Sequence, residues 1–80
     1  MNDEEIRLIV REVVTEILEL EPAELGDHTD IERVGADSLQ RLEVIDTLRK
    51  RFGTRYTIEQ ESRMNSVHDV VEITQNSLAS

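Results

Sequence analysis

Eighty residues suffice for one domain with a small apolar core, and the absence of cysteine rules out a disulfide framework, a thiolate metal site and a redox role. Eighteen acidic residues against nine basic ones give a formal charge of -9, which repels nucleic acid and anionic lipid, and Phe52 and Tyr56 are too few aromatics for base stacking. The first residues carry no basic n-region or apolar h-region, and no run approaches the ~20 apolar residues of a membrane span, so the expected location is the cytoplasm.

The first predicted helix covers residues 3–20. Its apolar positions Ile6, Ile9, Val10, Val13, Ile17 and Leu20 follow a 3.6-residue period, and Val14 and Leu18 widen the stripe. Asp3, Glu4 and Glu5 suit the positive end of the helix dipole. Residues 21–37 form a long connection with Pro22, Gly26, Gly35 and several Asx or Thr turn formers; Leu25, Ile31 and Val34 are expected to pin it to the core. A loop of this length in so small a domain points to function. The second helix covers residues 38–52, with Asp37 as N-cap and Gln40 as its capping-box partner. Arg49, Lys50 and Arg51 fill its last turn and Gly53 ends it. One short helical turn is predicted at residues 59–63. A last helix follows from an N-cap at Ser66, with Asp69 at N3, to about Leu78, its stripe being Val67, Val70, Val71, Thr74 and Leu78. The fold class is all-α: a small antiparallel four-helix bundle, three helices long and one short, with a long first loop, in one domain over residues 1–80.

Taking Ser38 as zero and about 100° per residue, Val44, Leu48, Phe52 and Ile45 fall at roughly 240°, 280°, 320° and 340°, a single core-facing arc. Leu42, Asp46 and Leu39 fall at roughly 40°, 80° and 100°, outside that arc and near Ser38. Two readings of the leucines stand. They pack beneath the first loop under Leu25 or Ile31, or they form an exposed apolar patch ringed by Asp37, Glu43 and Asp46, the anatomy of a transient docking surface.

Gly35-Ala36-Asp37-Ser38-Leu39 sets a single hydroxyl at the mouth of this helix. No base and orienting acid at triad spacing would make Ser38 a nucleophile in its own right, whereas an exposed helix start, with its unpaired N–H groups, suits a covalently attached anion. The motif, the helix ending in Phe52-Gly53, the long loop and the chain length together resemble the acyl carrier protein family. That resemblance implies that Ser38 carries a 4'-phosphopantetheine arm on which acyl groups travel as thioesters. It further implies that the chain is a carrier and not an enzyme, with Asp37 recognised by a phosphopantetheinyl transferase. Leu39, Leu42 and Glu43, with Asp46 on the rim, lie on the helix that acyltransferases, ketosynthases and other acyl-processing partners would contact. On physical grounds alone Asp37 serves equally as a helix cap.

Val34-Gly35-Ala36-Asp37-Ser38-Leu39 looks like an acyl carrier; peptidyl carriers more often show a Gly-Gly-His-Ser type of run, and D-alanyl carriers have Met where Leu39 stands. Arg49-Lys50-Arg51 departs from the acidic run of housekeeping fatty-acid carriers, and Tyr56-Thr57 lacks their Ile-Pro or Leu-Pro. The expectation is a discrete, monomeric carrier of polyketide-type or other specialised acyl chemistry, Met1 and the lack of linker tails favouring a free-standing chain. A peptidyl or aminoacyl carrier is the alternative within the family, and a non-carrier helical interaction module the alternative outside it. Asp27-His28-Thr29-Asp30 reads as turn formers and solvated groups, not as metal ligands, and His68 and a His28–Ser38 pair are given no chemical role.

Overall fold

The structure, a computed structural model, describes residues 1–79. These residues form four α-helices and no strand: α1 (Asp3–Leu18), α2 (Ser38–Phe52), α3 (Ile58–Ser62) and α4 (Val67–Ala79), with a 3-10 turn at Pro22–Glu24. α1 packs against both α2 and α4. Asp3, at the start of α1, accepts a hydrogen bond from Gln75, near the end of α4, so these two helices run antiparallel. α1 and α2 face each other across a groove, and Arg51, at the end of α2, reaches Glu12 in mid-α1 at 3.7 Å. No helix among the described residues is long and apolar enough to cross a membrane.

Each long helix forms for local reasons. Asn2 caps α1 by accepting the Glu5 N–H at 2.9 Å, Glu5 returns the bond to the Asn2 N–H at 3.2 Å, and three acidic residues fill the first turn. The helix ends at Leu18, two residues short of the predicted Leu20. Glu19 turns left-handed at φ 55, and the N–H groups of Glu19 and Leu20 close back onto Glu16 and Thr15. This Schellman closure ordinarily takes glycine; here the Leu20 side chain packs on the core in compensation. Ser66 caps α4 by accepting the Asp69 N–H at 3.2 Å.

The core holds Ile6, Val10, Val13 and Val14 of α1, Val44, Ile45 and Leu48 of α2, and Val67, Val70 and Val71 of α4. Burial of such side chains contributes about 1.5–3 kcal/mol each. Leu25 and Ile31 of the first loop are buried as expected. Val34 is not: it stays half-exposed, because the turn at Gly35 sends Ala36 inward in its place. Leu78, expected on the buried stripe, is 41% exposed in the last turn of α4. Tyr56 and Met64, which flank α3, join the core unanticipated, and the Tyr56 hydroxyl meets the Thr74 hydroxyl at 2.8 Å inside it. α3 begins one residue earlier than predicted, because Thr57 caps it by accepting the Gln60 N–H at 3.0 Å.

Candidate functional site

The start of α2 is built from the loop outward. Gly35 sits at φ 107, a backbone conformation that side-chain-bearing residues rarely adopt. The turn it allows lets the Ala36 N–H reach the Ile31 carbonyl at 3.0 Å and buries Ala36. The next three residues, Asp37, Ser38 and Leu39, are therefore thrown to the surface. Asp37 accepts the Gln40 N–H at 2.8 Å through Oδ1, and Gln40 Oε1 accepts the Asp37 N–H at 3.3 Å. One carboxylate oxygen thus caps the helix and the other remains open to a partner. Ser38 is the first helical residue, exposed, and among the described residues nothing hydrogen-bonds to its hydroxyl. Among the described residues no histidine, lysine or second carboxylate is hydrogen-bonded to it either.

Around Ser38 the side chains take distinct places. Leu39 is 76% and Leu42 59% exposed, so neither packs beneath Leu25 or Ile31. Glu43 is exposed and borders a groove of about 330 Å³ between α1 and α2, together with Val13, Ile17, Thr47 and Arg51. Asp46 accepts from Arg49 at 2.7 Å and pairs with Lys50 at 3.1 Å. The Arg49 guanidinium first, and then the Lys50 ammonium, hold its carboxyl below the usual carboxylate range. Asp46 is thus engaged on its own helix, while Glu43 is not.

Three features escaped the sequence. Ile58, the first residue of α3, is an apolar side chain that is 86% exposed. Asp27 is an anchor: it bridges Arg7 at 2.8 Å and Arg11 at 3.1 Å, and its carbonyl accepts the His68 N–H at 2.8 Å. His28 lies against His68 with ring centroids 4.6 Å apart, and His68 Nε2 meets Glu72 at 2.9 Å. Among the described residues no three His, Cys, Asp or Glu side chains are grouped to hold a metal ion. The third feature is Arg41, half-buried, whose guanidinium donates to Asn65 Oδ1 at 3.0 Å and to the Glu61 carbonyl at 2.8 Å. Its angular position, roughly 300° from Ser38, falls inside the core arc. A polar residue interrupting that arc was the signal that could have found it.

A family profile described as the phosphopantetheine attachment site matches residues 9–73. The chain belongs to the acyl carrier protein family. It is 30% identical to an acyl carrier protein of Thermosynechococcus vestitus over 99% of both chains, and 35% identical over 68 residues to one of Campylobacter hominis, covering 84% of this chain and 86% of that one. It is also 33% identical over 63 residues to the non-reducing polyketide synthase pkdA of Emericella nidulans, covering 79% of this carrier but 2% of that enzyme. In fold it matches the HMG-ACPI domain from the CurA module of Lyngbya majuscula, with a TM-score of 0.81 at 18% identity, over 98% of this chain and 80% of that one.

Membership means that the carrier bears a covalently attached 4'-phosphopantetheine. The start of α2 fits such a group. Its exposed hydroxyl could take a phosphodiester, and the positive end of the α2 dipole and the N–H groups of its first turn would face the anion that results.

Proposed function

We propose that Ser38 carries the phosphopantetheine arm and that the carrier brings acyl groups to partner enzymes of polyketide-type or other specialised acyl biosynthesis in the cytoplasm. The observation that carries this reading is the Ser38 hydroxyl itself, exposed, without a hydrogen-bond partner among the described residues, and held on the first residue of α2 by a closed capping box. In the attachment step Ser38 Oγ bonds to the phosphorus that bears the pantetheine, adenosine bisphosphate leaves from coenzyme A, and the serine proton passes to the transferase. The bound arm supplies the thiol on which acyl groups are held as thioesters.

The remaining roles belong to the chain's own residues. The open oxygen of Asp37 meets the transferase, through a metal or a cationic side chain of that enzyme. Leu39 and Leu42 offer a small apolar contact with Glu43 at its edge, suited to partners that must bind and leave. Asp46, neutralised by Arg49 and Lys50, has a weaker claim to a partner's cation than Glu43. The similarity to a polyketide synthase segment and the basic end of α2 support a specialised pathway over a housekeeping one. That same Leu48-Arg49-Lys50-Arg51-Phe52-Gly53 ending is similar to peptidyl carriers, the second reading, and loading of the holo protein by acyltransferases or by adenylating enzymes separates the two.

Incubation with coenzyme A and a broad-specificity phosphopantetheinyl transferase, followed by intact-mass analysis, tests the attachment. One phosphopantetheine is expected on the native chain and none on Ser38→Ala. An unmodified native chain, or a modified Ser38→Ala, would refute the assignment.

A further inference from the structure

The core-facing arc of α2 reads Arg41, Val44, Ile45, Leu48 and Phe52, so a guanidinium heads an otherwise apolar stripe. Arg41 lies one turn beyond Ser38, at the end of the core nearest the attachment point. Below it Val44, Leu48, Met64 and Val67 are no more than 2% exposed. Beside it lies α3, which buries none of its own residues and hangs between the buried Tyr56 and Met64. Arg41 closes this corner. It donates to the Glu61 carbonyl in the last turn of α3, where a cation is favoured, and to Asn65 in the linker to α4. The Asn65 carbonyl accepts the Ile31 N–H at 2.9 Å, and the Ile31 carbonyl accepts the Ala36 N–H. One hydrogen-bonded chain therefore runs from α3, through the first loop, to the residue before Asp37-Ser38.

An apolar chain tethered at Ser38 gains by leaving water, and the buried side chains between α2 and α4 are the nearest apolar medium. To enter between α2 and α3 it must break the guanidinium's bonds to both acceptors and bring its apolar carbons against a half-buried charge. Both steps cost free energy that apolar contact has to offset. We propose that Arg41 is a polar plug that keeps acyl cargo outside the bundle, where partner enzymes reach it without first extracting it. This rests on Ser38 being the attachment residue.

The test loads the protein, by transferase, with an octanoyl-pantetheine analogue whose thioester is replaced by an amide. Methyl spectra and thermal midpoints of the loaded and holo forms are then compared, after intact mass has established full loading. In the native chain the Val44, Leu48, Met64 and Val67 methyls keep their shifts on octanoylation and the midpoint is unchanged. In Arg41→Leu the same methyls move, and the midpoint rises by several degrees as the chain is buried. If Arg41→Leu does not fold, Arg41→Gln takes its place. Core methyls that move in the fully loaded native chain overturn the plug alone, as does a folded Arg41 variant whose core ignores the octanoyl group. A native chain that takes up no analogue sinks the attachment reading and the plug with it.

Discussion

The first loop and α3 invert the usual relation between regularity and anchorage. Residues 19–37 contain no α-helix, yet they bury Leu25 and Ile31, hold Asp27 between Arg7 and Arg11, and receive bonds into their backbone from Arg11 and His68. α3 is a capped helix, yet it buries no side chain, and its first residue, Ile58, is 86% exposed. What fixes a segment is the apolar area and the buried polar groups it commits to the core, and not its backbone pattern. The loop that delivers Ser38 is therefore the better anchored of the two, and α3 the less.

The largest expected effect sets these regions against each other. Leu25→Ala should lower stability by about 2–5 kcal/mol, enough to unfold much of so small a domain, whereas Ile58→Ala should stay within about 0.5 kcal/mol in urea denaturation. Equal costs at the two positions would abolish the distinction.

A smaller effect probes the N-terminal anchor of α3. Tyr56 is the chain's one tyrosine, so phenolate absorbance reports it alone. Burial holds its phenol above the ordinary 10.0, while the bond to Thr74 acts in the opposite direction. Because the folded value is the higher one, its contribution is complete below pH 10.0 and is lost as pH rises toward the folded value. Alkaline titration should thus show the phenol ionising later in the folded than in the urea-unfolded chain. Tyr56→Phe, which orphans the Thr74 hydroxyl, should cost about 1–3 kcal/mol at neutral pH and remove that part of the alkaline slope. A phenol that titrates alike in both states would mean that this anchor is not sealed.

The smallest effect concerns the entrance to the loop. Glu19→Gly relieves the left-handed backbone at φ 55 and should raise stability by about 1 kcal/mol, read as a higher urea midpoint at unchanged slope. A drop would show that the Glu19 side chain contributes to the loop's hold.

Much of this was legible in the residues because it is local. The 3.6-residue stripes of Ile6 to Val14 and Val67 to Thr74, the Asp37–Gln40 box, the Ser66 cap and Gly53 at φ 61 each depend on neighbours within about one turn. So does the Asp37-Ser38-Leu39 run that opens α2. Local sequence misjudged α1, because a left-handed Glu19 is a stop that its side chain does not announce. It also misplaced Val34 and Leu78, whose burial depends on what faces them.

The sequence by itself determined which segments are helical, where the three long helices begin, and that one hydroxyl stands at the head of α2, since periodicity and capping are written within a few residues. Only the tertiary structure decided that Leu39 and Leu42 face solvent, that Asp27 ties the loop to α1, and that Arg41 spans from α2 to α3. The last two join groups 16 to 24 residues apart in the chain, and the distances between them exist only once the helices have packed.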